Sequence, residues 1–218
     1  MDILYQDESS IAINKPSGLL SIRDGYNLDL PTVKSLIELE FGRCWIVHRL
    51  DKETSGVLLI ARNEAVHRNL NLAFENRQIN KLYHALILGI PKEYEILIDL
   101  PLRINGDRKH RTVVDHVLGK PAKSKINIIK VFKDCCHVEI KPETGYTHQI
   151  RSHLSSIGHP ILGDKLYQKL YSSRTDLFAR TALHAYQITF NHPSTNSPIT
   201  ISADYPEDFQ EMLKKLAE

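Results

Sequence analysis

The segment His48-Arg49-Leu50-Asp51-Lys52-Glu53-Thr54-Ser55-Gly56-Val57-Leu58 constrains this chain more than any other part of its sequence. A carboxylate, Asp51, stands between an arginine two positions earlier and a Thr-Ser-Gly turn. Apolar residues follow at once, over positions 57–61, and they are enough for one buried strand. Asp, Thr, Ser and Gly are common turn residues, so the pattern by itself fits either an ordinary turn or a carboxylate held rigidly for catalysis.

Composition and charge limit the kinds of protein that this chain can be. The 218 residues are 42% hydrophobic, enough for a substantial core, and the net charge is only +2, so nucleic-acid binding would depend on local clusters of Lys and Arg. Cys44, Cys135 and Cys136 form neither a C-x-x-C pattern nor an even set, which favours a reducing cytoplasm. No apolar run approaches the roughly 18 residues of a membrane span, and the acidic N-terminus lacks a signal peptide's basic start. We therefore expect a cytoplasmic protein without membrane contact.

Hydrophobic periodicity predicts an α+β fold. Helices are predicted at 31–41, 63–77 (capped by Asn63), 147–157 and 206–217. Strands are predicted at 3–5, 11–14, 57–61, 82–88, 112–118, 125–132, 137–141, 185–190 and 199–202. Strands that follow one another without regular crossover helices predict a mixed, mainly antiparallel central sheet with flanking helices. No linker, low-complexity segment or repeat interrupts the chain, so 1–218 is predicted to be one domain.

Further short motifs accompany the Asp51 segment along the chain. They are Lys15-Pro16-Ser17-Gly18, Lys81-Leu82-Tyr83-His84-Ala85, Thr144-Gly145-Tyr146-Thr147-His148-Gln149-Ile150-Arg151, Gly158-His159-Pro160-Ile161-Leu162-Gly163-Asp164 and Leu183-His184-Ala185. In this order, together with the H-R-L-D-x-x-T-S-G pattern, they resemble the motifs of the RluA family of pseudouridine synthases. Tyr146 departs from that family, which usually has Arg at this position. The resemblance implies a central antiparallel sheet crossed by a catalytic cleft, and it implies isomerisation of uridine to pseudouridine in RNA.

The resemblance assigns three catalytic residues. Asp51 becomes the catalytic aspartate, Arg151 the guanidinium that keeps it ionised, and Tyr83 the ring that stacks on the uracil and through which the C5 proton could leave. The role of Arg151 is physically reasonable. Burial raises the pKa of a carboxyl group, and a nearby guanidinium lowers it again, so the carboxylate stays ionised. On pattern alone, however, Arg151 fits a solvated helix arginine and Tyr83 fits a packing residue of a strand. Whether Asp51 attacks C1′, attacks the base or removes a sugar proton stays open.

Four more residues are expected to bind the substrate. A uracil within a stem must leave the base stack to reach a buried carboxylate, and the resemblance gives Arg49 the role of occupying the vacated space. Ile150 would form a wall of the uracil pocket. Lys109 and Arg111 belong to a basic segment, residues 107–111, that we expect to contact RNA phosphates, although charge runs are more often solvated faces.

The resemblance also bears on partners and cofactors. The expected partner is a structured RNA, either 23S ribosomal RNA or a tRNA anticodon stem-loop or both, because Asp99-Leu100-Pro101-Leu102 and Gly119-Lys120-Pro121-Ala122 are similar to a small family member with both substrates. The first motif begins at residue 15, so we expect no N-terminal RNA-binding domain, and we expect a monomer. An isomerisation needs no cofactor, and no nucleotide-binding glycine motif occurs. His148 and His153 are five positions apart and do not align on one helical face, so no metal is expected; His48 is expected to be structural.

Two other classes compete with this interpretation. A non-catalytic RNA-binding module would use the same basic segment but would not need Asp51, Tyr83 and Arg151. A retaining glycosidase or nucleosidase would also direct a carboxylate at a sugar C1′, yet it ordinarily needs a second carboxylate as general acid. Glu53 lies too near Asp51 in the same loop to face it across a substrate.

Overall fold

A computed structural model describes residues 1–23, 29–168 and 178–218. The chain divides into two compact units, Met1–Lys81 with Ala185–Pro206, and Leu82–His184 with Glu207–Glu218. In chain order, the elements are β1 (Asp2–Gln6), β2 (Ser10–Lys15), α1 (Val33–Phe41), β3 (Trp45–Ile46), β4 (Ser55–Ala61), α2 (Glu64–Glu75), β5 (Asn80–Leu88), β6 (Glu95–Asp99), β7 (Leu102–Arg103), β8 (Val113–Val114), β9 (Lys123–Val131), β10 (Cys135–Pro142), α3 (Gln149–Ser156), β11 (Leu183–Asn191), β12 (Pro198–Ser202) and α4 (Glu207–Lys215).

The first unit is organised around β4, in which every residue is buried. The strand order is β1-β2-β4-β11, with β12 beside β11 and β3 beside β4. Strand β2 pairs antiparallel with both β1 and β4, and β11 pairs antiparallel with β12. Side chains from β4, α2 and β11, among them Leu59, Leu70 and Phe190, form a common hydrophobic core. The predicted continuous apolar run at 57–61 is therefore confirmed as a fully buried strand.

The backbone at Gly56 shows why the Thr-Ser-Gly turn ends in glycine. Its φ is 112°, and a Cβ at this position would lie 2.2 Å from the carbonyl oxygen of Ala185 in β11. Only glycine allows both this backbone angle and this close approach of two strands. The polar loop therefore ends where β4 enters the sheet.

Local capping fixes the two helices of this unit. Thr32 and Ser35 form a reciprocal capping box at the start of α1. The Asn63 side chain accepts a hydrogen bond from the Val66 amide at the start of α2, so the predicted cap is confirmed.

The second unit contains the strand order β5-β10-β9-β6 and a separate two-stranded pair, β7-β8. All of these neighbours pair antiparallel. The predicted strand at 112–118 is wrong beyond Val113–Val114. The chain turns at Asp115, because its side chain accepts hydrogen bonds from the amides of Val117 and Leu118.

The structure confirms the α+β class and the mainly antiparallel pairing. All four predicted helices are present, with ends that differ by a few residues from the prediction. A single domain over 1–218 stays a prediction. Within the described ranges, no helix is both long enough and apolar enough to cross a membrane.

Candidate active site

Asp51 lies in the loop between β3 and β4, and its side chain is half-buried. The Thr54 amide donates to the Asp51 carbonyl at 3.0 Å, which closes a turn around the carboxylate. Arg49, on the same loop, is exposed. The local structure is therefore a turn, as the pattern allows, and it is one that presents Asp51 beside the first residues of a buried strand.

A fully buried lysine holds this loop in place. Lys15 is 0% exposed, and its Nζ donates to the carbonyls of Pro16 at 3.0 Å, Leu19 at 2.8 Å and Lys52 at 3.2 Å. Burying an ammonium group is costly unless it is hydrogen-bonded, so these carbonyls must occupy fixed positions. Lys15 thereby ties the residue next to Asp51 to the end of β2.

The turn after β2 adds further bonds to the same loop. The Gly18 amide donates to the Lys52 carbonyl at 2.8 Å, and the Ser17 hydroxyl donates to the Glu53 carbonyl at 2.8 Å. The Ser21 hydroxyl bonds both the carbonyl and the amide of Leu50, at 3.0 and 3.2 Å. The backbone is thus fixed on both sides of Asp51, which is the rigidity that a catalytic carboxylate needs.

His48 supports the loop from the other side. Its Nε2 accepts a hydrogen bond of 2.9 Å from the Leu59 amide, so the neutral ring carries its proton on Nδ1. Burial, together with the Lys81 ammonium, lowers the pKa of His48 to about 3. The predicted structural role of His48 is confirmed.

In the second unit, α3 carries Arg151 and Ile150. The helix is buried along nearly its whole length, and it begins after His148, whose φ of 55° is left-handed. Gln149 anchors the helix start, because its amide group donates to the Lys123 carbonyl at 2.9 Å and accepts from the Thr144 hydroxyl at 2.8 Å. The Thr-Gly-Tyr-Thr-His-Gln motif therefore fixes the first turn of α3.

Arg151 is 9% exposed and forms a bidentate ion pair with Asp164. Its Nε donates to Oδ2 of Asp164 at 2.7 Å, and its Nη2 donates to Oδ1 at 2.9 Å. Its guanidinium carbon also lies 5.1 Å from the ring centre of Tyr167. Such forked pairing fixes the plane of the guanidinium group as well as its position.

The same tyrosine contacts the predicted RNA-binding segment. The Arg111 guanidinium carbon lies 5.9 Å from the Tyr167 ring centre, and Arg111 Nε donates to Asp107 at 2.7 Å. Lys109 on this loop is exposed. Arg111 therefore has intramolecular partners that hold the loop, whereas the Lys109 side chain extends into solvent.

Comparison with known proteins decides the family. A family profile described as RNA pseudouridylate synthase matches residues 9–156. The chain belongs to this family. The matched range includes the Asp51, Tyr83 and Arg151 motifs and ends before Asp164.

Individual relatives place this pseudouridine synthase more closely. The dual-specificity RNA pseudouridine synthase RluA of Salmonella typhimurium is 37% identical, over 95% of this chain and 93% of its own. The ribosomal large subunit pseudouridine synthase D of Zymomonas mobilis is 34% identical, over 99% of this chain and 73% of its own. The solved structure of human RNA pseudouridylate synthase domain containing 1 has a TM-score of 0.80 and 27% identity, covering 94% of this chain and 83% of that one. The predicted membership in the RluA family is confirmed.

The predicted site residues of this pseudouridine synthase lie in both of its units. Asp51 and Arg49 lie in the first unit; the second contains Tyr83, Lys109, Arg111, Ile150 and Arg151. Tyr83 is half-buried on β5 and lies opposite Ile140 of β10, and Ile150 is 7% exposed on α3. The catalytic and substrate-binding roles of these seven residues stay predictions.

Three residues of the site were missed by sequence reasoning: Lys15, Asp164 and Tyr167. The motifs 15–18 and 158–164 contained the first two, but only as marks of resemblance. A buried arginine needs a buried acceptor, and the nearest acid after α3 in the chain, Asp164, was a signal that could have been used. Nothing local in the sequence marks a buried lysine in β2 as the anchor of a loop that lies far along the chain.

His153, the histidine of α3, uses both ring nitrogens in hydrogen bonds within the fold. His153 Nδ1 bonds the Ser124 hydroxyl at 2.9 Å and Nε2 bonds the Leu100 carbonyl at 3.0 Å, so both ring nitrogens are used. Across the part of the chain that the structure describes, no three His, Cys, Asp or Glu side chains group to hold a metal ion.

Proposed function

We propose that this protein isomerises specific uridines to pseudouridine in structured RNA, with Asp51 as its catalytic carboxylate. The family assignment makes the chain an isomerase of RNA uridines, and it favours that enzyme over both the non-catalytic module and the glycosidase. The observation that supports Asp51 is its loop, in which the backbone of residues 50, 52 and 53 is bonded to the 15–21 segment. Such a loop holds a carboxylate in one place while the N1–C1′ bond breaks and the C5–C1′ bond forms.

The other roles follow from the chemistry. Arg151 would keep Asp51 ionised, since a guanidinium near a carboxylate favours the anion. Tyr83 would stack on the uracil and Ile150 would form an apolar wall beside it. Arg49, exposed on the Asp51 loop, would occupy the space that the flipped nucleotide leaves.

The RNA substrate is proposed from the relatives. RluA of Salmonella typhimurium is described as dual-specificity, and the Zymomonas relative as an enzyme of the ribosomal large subunit. We propose that this chain acts on 23S ribosomal RNA, on a tRNA anticodon stem-loop, or on both, as a cytoplasmic monomer without a cofactor. Its three cysteines are buried free thiols, as a reducing compartment would keep them.

Asp51→Asn tests the proposal directly. Asn has nearly the same shape and keeps hydrogen-bonding ability, but it lacks the negative charge and the nucleophilic oxygen. Tritium release from RNA containing 5-tritiated uridine should fall below detection, while the affinity for the RNA stays within about threefold. Glu53→Gln, in the same loop, is the matched control and should keep its activity.

Two results would contradict the proposal. Near-normal turnover by Asp51→Asn would remove Asp51 from the chemistry. RNA binding without any pseudouridine formation by the unaltered protein, on both ribosomal and anticodon stem-loop substrates, would favour the binding module instead.

A further inference from the structure

The buried pair of Arg151 and Asp164 has contacts on both residues beyond the ion pair itself. Asp164 is 0% exposed, and besides Arg151 its Oδ1 accepts the amides of Leu166 at 3.0 Å and Tyr167 at 3.1 Å. Backbone amides cannot rotate away, so the carboxylate itself is held in one orientation. The arginine that meets it through two parallel hydrogen bonds is therefore held in one orientation as well.

The Arg151 guanidinium also lies over the ring of Tyr167. The ring centre lies 5.1 Å from the Arg151 guanidinium carbon, within the range of a cation–π contact. The ring is fixed in turn, because the Tyr167 hydroxyl accepts from the Thr112 amide at 2.9 Å and donates to the Thr112 carbonyl at 3.1 Å. The plane and the edge of the Arg151 guanidinium are thus both set by groups that cannot move independently of the fold.

We propose that Asp164 is a positioning residue for catalysis, which holds the Arg151 guanidinium in one orientation within its own unit. This inference rests on the proposed function, because it takes Arg151 as the group that stabilises ionised Asp51. Asp164 itself touches no reacting atom. Its contribution is preorganisation, since a charged group that is already oriented needs no rearrangement as the reaction proceeds.

The same unit contains a matched control pair. Arg180 donates through Nε to Oδ2 of Asp208 at 2.6 Å and through Nη2 to Oδ1 at 2.9 Å, and its guanidinium carbon lies 5.2 Å from the Phe178 ring centre. Both arginine side chains are 10% exposed. The forked pairing and the ring contact are similar to those of Arg151, although the Asp208 side chain is 46% exposed and that of Asp164 is 0% exposed. The proposed reaction assigns the Arg180–Asp208 pair no role.

The experiment compares Asp164→Asn with Asp208→Asn. In Asp164→Asn, the amide oxygen can keep the Leu166 and Tyr167 amides, but the new NH₂ group would face the Nε–H of Arg151, donor against donor. Single-turnover tritium release should slow by about tenfold or more, while RNA affinity stays within about threefold. Asp208→Asn should keep its rate within about twofold. Both are assayed at a temperature at which urea titration shows each variant to be folded.

If Asp164→Asn does not fold, Asp164→Glu tests the same ion pair. It retains the charge but moves the carboxylate by one methylene, so the forked geometry is lost, and the rate should fall several-fold at unchanged RNA affinity. The inference is overturned if the folded Asp164 variant is no slower than Asp208→Asn, or if rate and affinity fall together in proportion. Inactivity of the unaltered protein would instead overturn the proposed function itself.

Discussion

Lys15 at the end of β2 and Lys52 in the Asp51 loop are joined by a hydrogen bond of 3.2 Å, from a fully buried ammonium group to a backbone carbonyl. The exposed side chain of Lys52 takes no part in this bond. The relationship links a motif at residue 15 to the position beside the proposed catalytic carboxylate, and both residues lie in the first unit. The Lys15 side chain therefore contributes both to the stability of the fold and to the rigidity of the site.

Lys15→Met should therefore affect stability and catalysis together. Met keeps the length and apolar stem of lysine but removes the hydrogen bonds to three backbone carbonyls, which should lower the free energy of unfolding by about 2–4 kcal/mol. The rate should fall as well, because the Asp51 loop loses its anchor. Urea titration and single-turnover tritium release measure the two effects. Lys52→Met is the matched control, since it leaves the Lys52 carbonyl in place, and a loss of stability as large as that of Lys15→Met would refute the account.

Sequence reasoning predicted the elements that have a strong hydrophobic period. Strand β4 contains an unbroken apolar run at 57–61, and α2 begins after its predicted cap, Asn63. Both features depend only on residues that are close together in the chain, so they can be predicted from one sequence. Strand β6 was missed, because its sequence shows only a short apolar run, Ile96 to Ile98, between two acidic residues. The strand predicted at 112–118 failed for the converse reason, since a single side chain, Asp115, turns an otherwise β-branched segment.

The residues of the candidate site were predicted with their roles, but without the residues that hold them in place. The resemblance supplied Asp51, Tyr83 and Arg151, but it contained no statement of what holds each of them. The bond from Lys15 to the Lys52 carbonyl depends on long-range packing, which no spacing along the chain encodes. Arg111 illustrates the difference, because a residue predicted for RNA contact also has Asp107 and Tyr167 as partners within its own unit.

Stability should fall as the pH drops below 6.5. Burial lowers the pKa of His84 and of His137, to about 3 and about 4, and burial and Lys81 lower that of His48 to about 3. Each ring binds its proton more weakly when folded than when unfolded, so its full contribution is present above pH 6.5 and is lost as the pH falls toward 4. Each group can add a slope of up to about 1.4 kcal/mol per pH unit.

Urea titrations at several pH values between 7 and 4 measure this slope. His48→Gln removes one titrating ring but keeps an acceptor for the Leu59 amide, so its slope should be smaller while its stability at pH 7 stays close to that of the unaltered protein. A slope that is identical in His48→Gln would show that His48 is not one of the groups responsible.

Neutralising Lys109 and Arg111 one at a time should have different effects on RNA binding and on Tm. Lys109→Gln should weaken stem-loop binding and reduce the slope of log K against log salt by about 1, without a change in Tm. Arg111→Gln should lower Tm as well, because it removes the bond to Asp107 and the contact with Tyr167. Filter binding at several salt concentrations and thermal unfolding measure the two quantities. If Lys109→Gln binds RNA as the unaltered protein does at every salt concentration, the RNA surface lies elsewhere.

Turnover should survive exhaustive treatment with a metal chelator, because the proposed chemistry runs on a carboxylate and a guanidinium group. The two ring nitrogens of His153 already bond Ser124 and Leu100. Loss of activity on chelation, reversed by zinc, would show that the expected absence of a metal was wrong.

Arg49→Ala should separate base flipping from chemistry. The side chain is exposed on the Asp51 loop, so its removal should leave the fold intact and the carboxylate in place. Unstacking a base costs a few kcal/mol, and loss of the group that occupies the vacated space should slow isomerisation by about 10- to 100-fold on a paired or stacked uridine. The loss should be smaller on a substrate whose target uridine is already unstacked, where flipping costs less.

Two variants serve as controls for Arg49→Ala. Asp51→Asn should show no such recovery, and Arg68→Ala, which removes an exposed arginine of α2, controls for the loss of positive charge. An equal loss for Arg49→Ala on stacked and unstacked substrates would mean that Arg49 acts on the chemical step or on binding, and not on the flipped state.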